Sequence, residues 1–375
     1  MANIYKRKDK AGNEIYYARI PTGRNSLGKH TYKTFQAAKR KALEKKLKEY
    51  EQDLSLYGHP LESAQVTFAQ WFNQHLKTNC YHKVKPKTFA YYMSLYENHV
   101  LPSNLGQMSI KNIKPIHIQE FFNERTHLAP STLKKIKVIF HAAFDSAMVN
   151  NLIRVNPIDS VKLPLSQKQE KEITVFSIEE QKRYISVAEK ETYGTLLITL
   201  LLCGIRIGEA LALTWDDIDF TNQTLTINKS LIYERIYDAA LDSYTYKHLV
   251  QSPKTKHGIR TLSIPDPLLP KLKKLKDSSP YELAFCTNVG TYIFEANVTR
   301  VHHRVCKAAN LPVTNIHALR HTFASTSAEN HITPNTMQEI LGHADIKTTL
   351  KIYTHATANS KLELKNVYDK IFSDI

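Results

Sequence analysis

The last third of the chain contains His317-Ala318-Leu319-Arg320, then Leu341-Gly342-His343, and Tyr353 ten residues later. Upstream, the chain contains Cys203-Gly204-Ile205-Arg206-Ile207-Gly208-Glu209. In this order, two arginines, two histidines and a tyrosine provide a phosphate clamp, groups that handle protons and an oxygen nucleophile. These stretches therefore predict a domain that cleaves a phosphodiester without a metal ion.

The two arginines, Arg206 and Arg320, are the candidates to neutralise the charge that develops on the phosphate oxygens. A guanidinium binds phosphate through two parallel hydrogen bonds and stays charged at every relevant pH. Glu209 follows Arg206 by one helical turn, so a purely structural ion pair is the alternative. We expect both: Glu209 orients Arg206, and Arg206 binds the phosphate.

Tyr353 is the candidate nucleophile. Tyrosine is weak at neutral pH because its pKa is ~10, but neighbouring guanidinium groups and a histidine make the phenolate more accessible. Most of the 20 tyrosines are expected to be structural or to pack against DNA. The position of Tyr353 after Leu341-Gly342-His343 selects it from the others.

A proton is also needed on the oxygen that leaves. Lys254 lies in Ser252-Pro253-Lys254-Thr255-Lys256-His257-Gly258, a predicted turn between two strands, from which a lysine can reach into a cleft. A lysine close to two arginines has a lowered pKa and can act as an acid. A plain phosphate contact is the alternative role, and Lys256 in the same turn is the rival candidate.

The histidines His317 and His343 are expected to share proton handling and hydrogen bonding to the phosphate. His317 precedes Arg320 by three residues, which places both on one helix face. The His302-His303 pair and Cys306 have no fourth ligand at a suitable spacing, so we expect no metal site. We find no phosphate-binding glycine loop or dinucleotide fingerprint, and we expect no cofactor.

The composition indicates a polyanionic partner. The chain has 375 residues and a formal net charge of +16, and two or three domains are expected at this length. Residues 1–50 contain fourteen Lys and Arg against four Asp and Glu, interleaved with tyrosines, which favours DNA binding over a merely solvated basic surface. The four cysteines are scattered, and no signal peptide or membrane-spanning run is evident, so we expect a cytoplasmic protein without a membrane partner.

The pattern of periodicities predicts a multidomain protein that is mainly α-helical with small β-sheets. Residues 1–55 are expected to form a three-stranded sheet plus a helix that begins near Thr34, and residues 66–160 a compact helical domain. Thr67 with Gln70 is a predicted capping box, and Ser131 a predicted N-cap.

The third predicted domain, residues 174–375, has a mixed α/β composition. A capping box at Ser177 opens it, and segments 224–227, 231–237 and 260–264 are expected to form one small antiparallel sheet. The predicted linkers are residues 51–65 and 161–175.

Together these motifs resemble the tyrosine recombinase (phage integrase) family. The resemblance covers roughly the last two hundred residues and rests on four stretches: Gly204 to Asp219, Pro253-Lys254-Thr255-Lys256, His317 to Ser325, and Leu341-Gly342-His343 through Tyr353-Thr354-His355. It implies that the catalytic residues are Arg206, Lys254, His317, Arg320, His343 and the nucleophile Tyr353. The stretch from Tyr233 to Gln251 is longer than the minimal sheet of the family needs.

The resemblance extends to the other two segments. The middle segment resembles the helical domain that binds core sites, and the basic first segment resembles the arm-binding domain of integrases from temperate phages and integrative conjugative elements.

The resemblance implies a site-specific recombinase that integrates and excises a mobile element such as a prophage. Tyr353 attacks a DNA phosphate and leaves an O-(3′-phospho-DNA)-tyrosine link and a free 5′-hydroxyl, which later reverses the step on a partner duplex without ATP or metal. The implied partners are double-stranded DNA with core and arm attachment sites, a homotetramer at a Holliday junction, an excisionase and a host DNA-bending protein, and bound protein would lie with the nucleoid.

Two other functions compete with recombination. A DNA-binding regulator with vestigial chemistry is disfavoured because all six active-site positions carry competent residue types. A type IB topoisomerase shares the tyrosine chemistry but acts alone on one duplex, and the basic N-terminal segment favours recombination directed to specific sites.

Overall fold

A computed structural model describes residues 3–8, 13–24, 30–57, 66–168, 174–238, 240–241, 243–253 and 256–356. The chain folds as two compact units, Met1–Glu170 and Lys171–Ile375. Helices predominate and the strands form small sheets, which confirms the predicted fold class. No helix in the described ranges is long and apolar enough to span a bilayer.

The first unit begins with a three-stranded antiparallel sheet. Its elements are β1 (Ile4–Lys8), β2 (Glu14–Arg24), β3 (His30–Ala37) and the following helix α1 (Arg40–Tyr57), with the strand order β1-β2-β3. Leu43 and Leu47 of α1 are buried against Ala18 of β2. The three predicted strands are confirmed, but the predicted helix start near Thr34 is wrong. Phe35 packs into this small core from β3, so the chain stays extended through Ala37 and α1 begins only at Arg40.

A helical bundle forms the rest of the first unit. Its helices are α2 (Phe68–His75), α3 (Pro86–Leu95), α4 (Asn104–Gln107), α5 (Pro115–Asn123) and α6 (Pro130–Val149). The capping box is confirmed, because the Gln70 amide donates to Thr67 Oγ1 at 3.2 Å and the Thr67 amide donates to Gln70 Oε1 at 3.0 Å. The predicted N-cap at Ser131 is wrong, because Pro130 is the first helical residue and Ala129 precedes it. A proline fits this first turn since it lacks the amide hydrogen that would lie unpaired there.

The predicted linkers are only partly linkers. Residues 51–57 belong to α1, and residues 58–65 lie outside the described residues. Residues 161–168 carry no helix or strand, as expected.

The second unit surrounds a large apolar core. Its helices are α7 (Ile178–Ala188), α8 (Gly194–Cys203), α9 (Ile207–Leu211), α10 (Leu269–Asp277), α11 (Glu295–Ala308), α12 (His317–Glu329), α13 (Pro334–Leu341) and α14 (Ile346–Ala356). The apolar helix α8 is buried almost throughout, and the predicted capping box at Ser177 with Glu180 opens α7.

The strands of the second unit form one three-stranded sheet and one separate hairpin. They are β4 (Ile218–Asp219), β5 (Thr224–Ile227), β6 (Ser230–Tyr237), β7 (Tyr244–Gln251) and β8 (Arg260–Ser263). Strands β4, β5 and β8 form one antiparallel sheet, whereas β6 and β7 form a hairpin, so the prediction of a single sheet is wrong. Between β5 and β6, the side chains of Asn228 and Lys229 bind the buried carboxylate of Asp217. This anchoring ends β5 before β6 begins. β6 pairs with β7, and most of this hairpin lies in the stretch from Tyr233 to Gln251 that is longer than the minimal sheet of the family needs.

Candidate active site

Two glycines in the left-handed conformation shape the backbone around the predicted residues. Gly204 has φ +60° at the end of α8, and a Cβ there would lie 2.2 Å from the ring of Phe323. Gly342 has φ +63° at the end of α13, immediately before His343. Only glycine adopts this conformation without strain. Each glycine ends a helix sharply and starts one of the predicted motifs beside α12.

Arg206 precedes α9 and is held by Glu209, as the sequence predicts. Arg206 Nη1 donates to Glu209 Oε1 at 2.7 Å, and the Arg206 backbone amide donates to Glu209 Oε2 at 2.9 Å. Burial would raise the pKa of Glu209, but hydrogen bonds and charge from Arg260 and Arg206 outweigh it, and the pKa falls below its usual range. Glu209 is therefore a buried carboxylate that orients the arginine.

Arg320 lies in the first turn of α12 and is almost fully buried. Its Nη1 donates to the Gly204 carbonyl at 2.7 Å, and its Nη2 donates to the Leu341 carbonyl at 2.6 Å. Burial and the charge of Arg206 lower its pKa to about 9, so the guanidinium is still charged at neutral pH. The backbone thus fixes this cation before any substrate binds.

His343 is held between Arg320 and α14. Its Nε2 lies 2.9 Å from Arg320 Nη2, and its Nδ1 lies 2.9 Å from Thr349 Oγ1. A guanidinium only donates, so Nε2 accepts, and the ring is neutral with its proton on Nδ1. Burial and the charges of Arg320 and Arg206 lower the His343 pKa to about 4, which agrees with this assignment.

His317 begins α12, one turn before Arg320. Its ring meets that of His321 edge to face, with centroids 4.8 Å apart. Burial is the main cause of the lowered His317 pKa, which is about 4, and the nearby His321 and Arg320 add to the effect. At neutral pH this imidazole is uncharged and can accept a proton.

These four side chains line one cavity of about 380 Å³. Its lining residues are Arg206, His317, Arg320, His343, Ala344, Asp345 and Thr348. The structure therefore brings together two guanidinium groups and two neutral imidazoles from the residue before α9, from α12 and from the turn after α13. Such a cavity suits a phosphate, because the cavity offers hydrogen-bond donors on more than one side.

Tyr353 lies apart from this group. It is not among the described residues that line the cavity. Its hydroxyl donates to the carbonyl of Ile332 in the loop between α12 and α13. Its ring packs against the cluster of Ala324, Met337 and Leu341, and burial raises its pKa. Thr349, four residues earlier on α14, contacts His343, so Tyr353 lies ~6 Å farther along the helix axis.

The predicted proton donor and its rival fall between β7 and β8 in the sequence. Lys254 lies outside the described residues, and only the backbone of Lys256 is described, at the start of the short helical turn Lys256–Gly258. The described ends of this loop meet, because a Cβ on Gly258 would lie 2.3 Å from Pro253 Cβ.

Sequence reasoning missed Arg260, the first residue of β8. Its Nη2 donates to Glu209 Oε2 at 2.8 Å, and its Nε donates to the Ile340 carbonyl at 2.6 Å. From the sequence, an arginine that begins a short strand is normally predicted to lie on the surface. Its pairing opposite Ile227 in β5, which carries it toward Glu209, is not visible in any local pattern.

His302, considered above as a metal ligand, is a core residue. It is fully buried, with Nδ1 2.7 Å from the Tyr184 hydroxyl and Nε2 3.1 Å from Thr314 Oγ1. Thr314 lies three residues before His317, so this network supports the backbone that enters α12.

The comparisons with known proteins identify the family. Residues 164–360 match the Phage integrase family, and residues 67–126 match the N-terminal SAM-like domain of phage integrases. This chain belongs to the phage integrase family of tyrosine recombinases. It is a site-specific DNA recombinase, an enzyme that cleaves and rejoins DNA.

Relatives and solved structures agree with this family. A tyrosine recombinase XerC-like protein of Caldanaerobacter subterraneus subsp. tengcongensis is 30% identical, covering 97% of this chain and 98% of that protein. The ICEBs1 integrase of Bacillus subtilis is 28% identical, covering 83% of this chain and 84% of that protein.

Two solved structures share the fold of this recombinase. The Tn1549 transposon integrase in complex with a circular intermediate DNA superposes with a TM-score of 0.66 at 22% identity, covering 80% of this chain and 99% of that chain. A lambda integrase tetramer bound to a Holliday junction gives a TM-score of 0.57 at 19% identity, covering 91% and 95%.

Proposed function

We propose that the cavity between Arg206 and Arg320 holds the scissile phosphate and that Tyr353 is the nucleophile. The observation that carries this proposal is the convergence of two protein-fixed guanidinium groups and two neutral imidazoles on one cavity. Preorganised cations favour the transition state because its oxygens carry more negative charge than the ground state.

The proposed step is a transesterification. Tyr353 Oη forms a bond to phosphorus while the bond from phosphorus to the 5′-oxygen breaks, so the DNA remains attached as a 3′-phosphotyrosine. Arg206 and Arg320 bind the nonbridging oxygens, and the neutral His317 accepts a proton and binds the phosphate. His343 takes up a proton at Nε2, and then binds the phosphate, once Arg320 turns from this nitrogen to the phosphate. The phosphodiester energy is kept in the covalent link, and the 5′-hydroxyl of a partner duplex reverses the step.

Tyr353 has to leave its present partner before it attacks. Its hydroxyl is held by the Ile332 carbonyl, so α14 or the tyrosine side chain must move when DNA occupies the cavity. The phenol proton then passes to a base near the phosphate, and the raised pKa of Tyr353 in its present environment falls beside the two cations.

The experiment is trapping on a suicide substrate, a duplex nicked near the cleavage site. Wild-type protein should form a covalent complex and Tyr353→Phe should form none. If both variants bind DNA and neither becomes attached, the protein is a regulator with vestigial chemistry. Relaxation of supercoiled DNA without any joint between two attachment sites would instead indicate a topoisomerase.

We assign the proton on the leaving oxygen to Lys254, with Lys256 as the rival. A substrate whose 5′-bridging oxygen is replaced by sulfur releases a good leaving group and needs no proton donor. Cleavage by Lys254→Ala should recover on this substrate, whereas cleavage by Lys256→Ala should not recover preferentially. The reverse pattern assigns the role to Lys256.

The N-terminal domain, residues 1–55, is proposed to bind arm-type DNA sites. Supporting this role, the sheet face opposite α1 carries Tyr5, Arg7, Tyr17 and Gln36: Arg7 lies 5.0 Å from the Tyr17 ring centre and donates to Gln36 Oε1. Cationic, amide and aromatic side chains on a sheet face suit a DNA groove. Removal of residues 1–55 should spare core-site cleavage and abolish arm-site binding, and an equal loss of both would contradict the assignment.

We further assign core-site binding to residues 66–160 and catalysis to residues 174–375. The recombinase would act in the cytoplasm, as a homotetramer on two duplexes, to integrate and excise a mobile element. An excisionase and a host DNA-bending protein would set the direction. Affinity for DNA should fall steeply with salt concentration, because phosphate contacts release counterions.

A further inference from the structure

Arg260 joins three parts of the second unit. Besides its bonds to Glu209 and the Ile340 carbonyl, its Nη1 donates to Glu209 Oε1 at 3.3 Å and to the Gly258 carbonyl at 3.2 Å. Its side chain is only 6% exposed. Every nitrogen of this guanidinium donates to a protein acceptor, so Arg260 is arranged to hold the protein rather than to bind a phosphate.

Glu209 is the carboxylate that both arginines share. Oε1 accepts from Arg206 Nη1 and Arg260 Nη1, and Oε2 accepts from the Arg206 amide and Arg260 Nη2. The cluster therefore contains the guanidinium groups of Arg206 and Arg260 around one carboxylate. Removing Arg260 would leave Glu209 paired with Arg206 alone, and the charge of Arg206 would be offset by its own orienting group.

We propose that Arg260 is a positioning residue that neutralises Glu209, so that the charge of Arg206 acts on the scissile phosphate. This inference rests on the proposed function, because it assumes that phosphodiester cleavage takes place at the cavity. The net charge near the phosphate matters most in the transition state, in which the nonbridging oxygens carry the additional negative charge. Arg260 also fixes the end of α13 through the Ile340 carbonyl and the end of the turn before β8 through the Gly258 carbonyl.

The test compares two suicide substrates that differ in charge at one position. One carries the normal phosphodiester at the scissile position, and the other carries a methylphosphonate, which has no negative charge. The covalent methylphosphonate product is open to hydrolysis, so the measured quantity is the rate at which intact strand disappears. A variant that lacks positive charge should be slow on the first substrate and close to wild type on the second.

Arg260→Met should cleave the phosphodiester ~100-fold more slowly than wild type, the magnitude of one lost electrostatic contact in a transition state. On the methylphosphonate the same variant should lie within about threefold of wild type, because the charge to be stabilised is absent. Arg260→Lys keeps the charge but not the planar set of donors of a guanidinium. Its rate on the phosphodiester should therefore lie between those of wild type and Arg260→Met, and its rate on the methylphosphonate should likewise approach that of wild type. It supplies the same comparison if the methionine variant does not fold.

Arg304→Met is the matched control. Arg304 also pairs with a glutamate, Glu191, but its side chain is 57% exposed, and its loss should change neither rate. Equal slowing of the Arg260 variants on both substrates, or no slowing on either, overturns the inference while the proposed function stands. Cleavage of neither substrate by wild-type protein overturns the proposed function and this inference with it.

Discussion

The Glu209–Arg260 pair allows a quantitative prediction about stability. Both side chains are 6% exposed, and two hydrogen bonds of 2.8 and 3.3 Å join them. Removing one partner of a buried ion pair lowers the free energy of unfolding by ~3–5 kcal/mol, because the other charge remains buried. Glu209→Gln should lie in this range, because it removes the carboxylate that Arg260 shares, whereas Arg260→Met should lie at its lower end, because Arg206 still pairs with Glu209.

The double variant should be less destabilised than the sum of the two single variants. Neither charge then lacks its partner, although Arg206 loses its orienting carboxylate. A hydrogen bond to a charged group contributes ~1.5–3 kcal/mol, so the coupling energy should be about 2–3 kcal/mol.

The assay uses the two tryptophans, one in each unit. Trp71 lies in the first unit and Trp215 in the core of the second. With Trp71→Phe as the background, the fluorescence of Trp215 during urea unfolding reports the second unit in the full-length chain. Additivity of the two single variants within about 0.5 kcal/mol would refute the reasoning, since it would mean that the two side chains do not act as a pair.

Three further outcomes follow from the same site. Gly342→Ala places a Cβ 2.9 Å from the His257 carbonyl and 3.0 Å from Arg260 Nη1 at φ +63°, so the free energy of unfolding should fall by ~1–3 kcal/mol in a urea titration, and unchanged stability would contradict the contact. His343 and His317 have pKa values of about 4 in the folded chain and ~6.5 when unfolded. Stability should therefore decrease as the pH falls from ~6.5 to ~4, and replacing both by Gln should weaken that dependence, with the lowered pKa of His302 retaining part of it. Thr349→Val removes the acceptor of the His343 Nδ1 proton, so cleavage of a suicide substrate should slow by ~10-fold or more at unchanged DNA affinity, and an unaltered rate would show that the tautomer is not fixed there.

Local spacing was sufficient to predict part of the site. Glu209 follows Arg206 by three residues, and Arg320 follows His317 by three, so helical geometry alone brings each pair together. These interactions are decided within one turn of the chain and are visible in the sequence.

The interactions that join distant segments were not predictable. Arg260 reaches Glu209 across 51 residues because β8 pairs with β5 in one register. The alternating pattern of residues 231–237 identified a strand correctly, yet its partner is β7 and not the sheet that contains β5. Strand pairing depends on which backbone edges meet after folding, and alternation describes only one strand at a time.

The position of Tyr353 separates the ready part of the site from the part that has to move. The cations are fixed by protein acceptors: Arg320 by the Gly204 and Leu341 carbonyls, and Arg206 by Glu209. Releasing Arg320 from its two carbonyls breaks two hydrogen bonds of a charged group, each worth ~1.5–3 kcal/mol, whereas releasing the Tyr353 hydroxyl from a neutral carbonyl requires ~0.5–1.5 kcal/mol net. A bound duplex therefore displaces the tyrosine far more easily than the arginines. Because the electrostatic part is built in advance, the movement of Tyr353 away from the Ile332 carbonyl decides when the proposed reaction begins.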